Sequence, residues 1–198
     1  IQTSSIFAIS ALAWATTSAF WGRASDKYGR RNIAILGLVG YSISLIALIT
    51  PLFLAQKNII NVTLLFPALV LGRLINGLIG SATRPASFAY IADITSKDNR
   101  TVKFARLESS FLLGTVAGPL VGGFLFLISN ETPFYVFSML AFIAAIGIYG
   151  KLDPVTKKET SVKKINKINW YSSSIWPFLA FAAVLSLCQA SLLQSIGF

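Results

Sequence analysis

A block of charge set between two uncharged apolar runs constrains this chain more than any other feature. From Ile6 to Trp21 there is no charged residue, and from Ile33 to Ala55 there is none either. Between them stand Arg23, Asp26, Lys27, Arg30 and Arg31, flanked by Gly22 and Gly29. Apolar runs of this length match the ~20 residues that a helix needs to cross a bilayer. The link from Gly22 to Arg31 is only ten residues. The two helices are therefore expected to return antiparallel, with Gly22 and Gly29 supplying the tight backbone of the turn.

Composition points the same way. Of 198 residues, 55% are hydrophobic and 12% charged, and the mean hydropathy is +0.69. That balance suits an integral membrane protein and not a soluble domain. The net charge of +10 does not indicate a nucleic-acid partner, because the basic residues fall in short blocks between apolar spans. The one cysteine, Cys188, lies in an apolar run, so there is no disulfide framework. Histidine is absent, which removes the usual proton relay and any Ser-His triad. No cluster of metal-ligating residues and no Gly-rich phosphate loop occurs, so neither a metal, a cofactor nor enzymatic activity is expected. The chain starts without Met and both its ends lie in apolar segments. It reads as a piece of a longer protein with no visible signal peptide.

Six spans are expected, over 4–21, 33–55, 63–92, 107–128, 134–150 and 174–198. The links between them alternate in charge. The 22–32, 93–106 and 151–173 links carry four, four and six basic residues; Lys57 is the sole basic residue in the links of the other side. An asymmetry of fourteen to one places the basic links in the cytoplasm. Trp14, Trp21, Trp170 and Trp176 fall mostly near span ends and suit interface anchors, with substrate stacking left open for Trp14.

The pattern Gly22, Asp26, Gly29, Arg30, Arg31 resembles the signature between the second and third helices of the major facilitator superfamily of secondary transporters. Ala24 departs from it, standing where that family usually has leucine. The resemblance implies an all-α membrane bundle, of which this chain would hold about six of twelve helices. It divides the chain into a first bundle over 1–150 lacking its first helix, a basic cytoplasmic linker over 151–173, and the start of a second bundle over 174–198. It also implies a monomer in the cell membrane, with the bilayer, a small-molecule substrate and protons as partners.

Within the 63–92 span lies Gly72-Arg73-Leu74-Ile75-Asn76-Gly77-Leu78-Ile79-Gly80. A cation this deep in a span is costly and is expected to face the protein interior with a partner. Arg84 follows eleven residues later, within about 20° of the same face of a continuous helix. Asn76, Gly77 and Gly80 lie near that face, giving a polar stripe suited to a cavity wall. Two plainer readings stay open: Arg73 snorkels or forms a structural pair, and Arg84 sits at the cytoplasmic surface, where Pro85 perturbs the helix. The run resembles a family motif implicated in proton coupling. Its second glycine comes one residue early, a spacing similar to that of tetracycline-type exporters.

On the next span, Gly114, Gly118 and Gly122 recur every four residues, with Pro119 and Gly123 between and beyond them. Such a stripe makes a smooth groove for a close helix partner, and Pro119 favours a hinge. A tight helix pair without a special role is the bland reading. The whole pattern resembles the superfamily's antiporter motif, which implies proton-coupled export. Between these spans, Ala92-Asp93-Ile94-Thr95 followed by Arg100 looks like the tetracycline-exporter branch, with Asp93 and Arg100 expected to cap helix ends and pair with each other. Asp26 is expected to reach a basic residue of the other half, and Glu108 to form an interfacial salt bridge near Lys103 and Arg106. Gln189, beside Ser186, either lines a cavity or bonds a neighbouring helix. The leading reading is proton-coupled efflux of a small amphipathic compound such as a drug. The alternatives are a proton-coupled or facilitative importer, since 92–108 also resembles the proton-coupled folate transporters, and a non-transporting membrane receptor.

Overall fold

The computed structural model describes residues 2–152. The 174–198 span, most of the linker and Gln189 lie outside the described residues. The described residues form six α-helices: α1 Gln2–Tyr28, α2 Arg30–Gln56, α3 Val62–Leu78, α4 Thr83–Ile94, α5 Arg100–Phe126 and α6 Thr132–Lys151. Single 3-10 turns, Gly80–Ala82 and Lys97–Asn99, precede α4 and α5. Four stretches are long and apolar enough to cross a membrane: Arg30–Gln56, Thr63–Ile94, Lys97–Phe126 and Thr132–Lys151. α1 has the length, at 27 residues, but its serines and threonines dilute its apolar content.

The charged link departs from expectation. α1 runs helical through Gly22 to Tyr28, and α2 begins at Arg30. Gly29 alone makes the turn, at φ 92° and ψ 137°, a backbone conformation that side-chain-bearing residues avoid. Gly22 therefore plays no part in the turn. The charged residues extend the helix instead of breaking it, because nothing in Arg23–Tyr28 opposes helix continuation. The far end of α2 closes differently. Asn58 takes φ 57°, and Ile59 N–H donates to Leu54 O at 3.0 Å while Asn58 N–H donates to Ala55 O at 3.0 Å. This pairing of reversed bonds ends a helix around one left-handed residue. Asn61 then caps α3, accepting from Thr63 N–H at 3.3 Å.

The expected 63–92 span is broken. Pro85 has no N–H, and its ring would collide with the Ser81 carbonyl in an unbroken helix. The chain responds with the buried turn Gly80–Ala82 and restarts as α4, where Pro85 falls in the first turn and needs no donor. α2 sits at the centre, packing against α1, α3, α4 and α6. It closes on the break without room for side chains: a Cβ at Gly37 would lie 2.5 Å from Thr83 N, and one at Gly40 would meet Ile79. Ala24, Ile33, Ala34, Ala82 and Ala86 form the buried cluster there, with Trp21 packed against it. Between α2 and α6, Ser42 Oγ donates to Ser138 O at 2.9 Å and Ser138 Oγ donates to Ser42 O at 3.1 Å. This reciprocal pair satisfies two buried hydroxyls where lipid offers no partner.

Candidate functional site

Two polar regions stand out, one at the basic end of the helices and one within the bundle. At the basic end, Arg30 opens α2 and is mostly buried. It pairs with Asp26 one turn back across Gly29, and its Nε donates to Asp93 Oδ2 at 3.0 Å. Its Nη1 donates to Ser25 Oγ at 2.6 Å. One guanidinium thus ties the ends of α1, α2 and α4. Arg31 turns away, donating to Leu152 O at 2.9 Å and stacking over Tyr149 with 4.9 Å to the ring centre. Arg100 donates to Ala92 O at 2.8 Å, tying α5 to the end of α4.

One expected pairing is therefore corrected. Asp93 pairs with Arg30 and not with Arg100; the fold brings the start of α2 against the end of α4, a proximity that local spacing does not carry. Asp26 pairs with Arg30 one turn along the chain; the expected bridge to the other half lies outside the described residues. Both carboxylates are more than a third exposed. Such pairs contribute little to stability, at most about 1 kcal/mol each. They are suited to be broken and remade.

Within the bundle, side chains of α1 meet backbone carbonyls along α3 up to its broken end. Ser10 Oγ donates to Arg73 O at 3.2 Å. Thr17 Oγ1 lies 3.0 Å from Gly77 O and 2.9 Å from Ser81 Oγ. Trp21 Nε1 donates to Leu78 O at 2.5 Å. These three side chains repeat at seven and four residues along one face of α1, as a helix requires. α1 approaches closely at Gly77, where a Cβ would lie 2.7 Å from that of Ala13. This seam was missed from sequence, although the spacing of its donors along α1 was visible. Trp21, expected as a membrane anchor, is a hydrogen-bond donor to the broken helix.

Arg73 and Asn76 lie half-buried beside this seam. Asn76 Oδ1 is buried with no hydrogen bond among the described residues, and Gly80 leaves it room. Arg84 does not join them. The break interrupts the helical phase on which the shared face rested, and Arg84 turns to α5. There its Nη2 donates to Glu108 Oε2 at 2.8 Å, and its guanidinium lies 5.2 Å from the Phe111 ring centre. Glu108 thus has Arg84 for a partner, where Lys103 and Arg106 were the expected neighbours.

The glycine stripe of α5 is mostly bare. Among the described residues, nothing lies within 4 Å of a Cβ placed at Gly114, Gly118 or Gly123, and only Gly122 meets a neighbour, Phe137, at 3.6 Å. α5 continues as one helix through Pro119. A cavity of about 410 Å³ runs along Gly118, Pro119, Gly122 and Gly123 beneath Phe134 and Phe137. The expected groove is present, but no helix of the described residues fills it.

Comparison with known proteins adds the family. The chain is 36% identical over 135 residues to the class B tetracycline resistance protein of Escherichia coli, covering 68% of this chain and 30% of that protein. It is 33% identical over 138 residues to the class D tetracycline resistance protein of Salmonella ordonez, covering 70% and 32%. It is 29% identical over 168 residues to the quinolone resistance protein NorA of Staphylococcus aureus, covering 81% and 40%. The chain thus spans 30% to 40% of the length of these curated relatives. The Major Facilitator Superfamily description matches residues 1–198. With helices apolar enough to cross a membrane and a whole-length match, the chain belongs to the Major Facilitator Superfamily, a family of membrane transporters and not of enzymes.

Proposed function

We propose that the complete protein is a secondary active transporter that exports a small amphipathic compound, such as a drug, in exchange for protons. The observation that most supports this is the α5 run from Gly114 to Gly123. It carries the antiporter pattern in full and presents it as an open groove. Relatives named for tetracycline and quinolone resistance point the same way.

Residues 1–150 form the first bundle, 151–173 the linker and 174–198 the start of the second bundle, with the basic links in the cytoplasm of a monomer in the plasma membrane. A central cavity opens to one face and then the other. The small-residue face of α5 slides against a helix of the other half, with Pro119 as its hinge. Arg30, with Asp26 and Asp93, clamps the basic end in one state and releases it in the other. Asp93 and Arg100 hold the α4–α5 corner through separate partners, and Gln189 contributes to the cavity from the second bundle. No carboxylate lies deep in a span among the described residues. Proton binding then falls to a carboxylate elsewhere in the protein, with Arg73 responding to its charge and Asn76, Gly77 and Gly80 lining the path. The proton biases one state only through its different affinity for the two.

The test is flux in proteoliposomes holding the full-length protein, with an imposed pH gradient, a panel of drugs and metabolites, and simultaneous recording of protons. Opposed fluxes are expected. Parallel fluxes make the protein an importer, and no flux with any compound removes the transport reading.

A further inference from the structure

At the basic end a second feature is unused by the transport reading. A cavity of about 630 Å³ opens between the start of α2, the end of α4, the turn before α5 and the end of α6. One wall is apolar, built from Ala34, Ile91, Ile94 and Ile148. Its rim carries Arg30, Arg31 and Lys103, with Ser96 and Asn99. Arg30 is neutralised by its two carboxylates. Arg31 and Lys103 are not: neither has an ion pair with a carboxylate among the described residues, and Arg31 Nε is buried with no hydrogen bond. Arg31 is held in place through Leu152 O and Tyr149, which leaves donors directed elsewhere.

We propose that this cavity binds the headgroup phosphate of an anionic phospholipid, with the lipid's glycerol and upper acyl chain against the isoleucine wall. Three features select that occupant. The cavity lies where the helices end, at the level at which headgroups meet apolar spans. The surplus charge of the rim is positive, and Arg31, Lys103 and Ser96 offer the donors that a phosphate takes. The apolar wall has no use for a free anion, which would touch the rim alone. The chain beyond Leu152 is a poor alternative occupant, since residues 153–173 carry five lysines against Asp153 and Glu159.

The experiment uses the full-length protein in nanodiscs of equal phosphatidylglycerol and phosphatidylcholine, with retained lipids counted by native mass spectrometry. Lipid retention does not depend on transport, so failure here leaves the export reading standing. The wild-type protein is expected to retain phosphatidylglycerol preferentially. Lys103→Gln, at an exposed position that folding does not need, is expected to lower that preference about fivefold, as is Arg31→Gln. Lys103→Arg keeps the preference, and Lys57→Gln, in a different link, leaves it unchanged. An unaltered preference in both Lys103→Gln and Arg31→Gln overturns the proposal. So does an equal loss in Lys57→Gln, which would reduce the effect to net charge. In phosphatidylcholine nanodiscs, stabilisation by inorganic phosphate that matches the effect of phosphatidylglycerol would assign the rim to a soluble anion and overturn the lipid assignment.

Discussion

α2 and α5 are both 27 residues long, both apolar and both carry glycines, yet they sit in opposite surroundings. α2 buries eight residues, and its Gly37 and Gly40 touch the backbone and side chain of a neighbour. α5 buries only Gly122, and three of its other glycines face open space. The same residue type thus serves two purposes. On α2 it removes side chains so that a broken helix can be held at van der Waals distance. On α5 it leaves a face that no described residue fills. A glycine count or spacing does not separate these cases; the neighbours do.

The strongest way to break the comparison is to fill both kinds of glycine. Gly37→Leu places atoms into the Thr83 backbone, which cannot move without unseating α4. It is expected to cost at least about 3 kcal/mol, seen as loss of folded protein in detergent. Gly114→Leu, facing open space, is expected to change stability by no more than about 0.5 kcal/mol in the same assay. Similar losses at the two positions would erase the distinction.

Arg73→Ala sharpens it at the seam between α1 and α3. Proton-coupled flux is expected to fall to background while membrane insertion is kept, since the backbone contacts of the seam stay intact. Normal flux would remove Arg73 from the coupling path. Smaller effects are expected from the hydrogen bonds that hold the rigid part together. Trp21→Phe keeps a ring and deletes the donor to Leu78 O, which Ser81 Oγ also approaches at 3.3 Å. A loss of about 1 kcal/mol is expected by thermal unfolding. Asp93→Asn removes one carboxylate from Arg30, but the pair is partly exposed and screened. About 0.5 kcal/mol is expected, shrinking further at high salt.

The sequence carried the spans of α2, α5 and α6 well, because uncharged runs and basic links follow from bilayer solvation, which acts on each segment separately. It carried the break near residue 80 less well. Pro85 marks a perturbation there, but the Thr17 and Trp21 donors that meet the carbonyls beside the break come from α1, distant in the chain. The partner of Asp93 is hidden for the same reason, and so is the partner with which Glu108 makes its expected salt bridge. Each has a basic residue a few positions away, yet each pairs with an arginine far along the chain, Arg30 and Arg84. Flexibility makes Gly22 and Gly29 equal candidates for the turn, whereas of the two only Gly29 has the backbone angle that requires glycine.

The account stands or falls on α5 as a moving interface, and Gly118→Leu in the full-length protein tests it most directly. Stability in detergent and proton-driven substrate flux in proteoliposomes are measured on one preparation. The mutant is expected to fold and insert like the wild type, because nothing among the described residues lies within 4 Å of a Cβ placed at Gly118 and the cavity beside it has room, and to lose turnover. Normal turnover with normal folding would contradict the account.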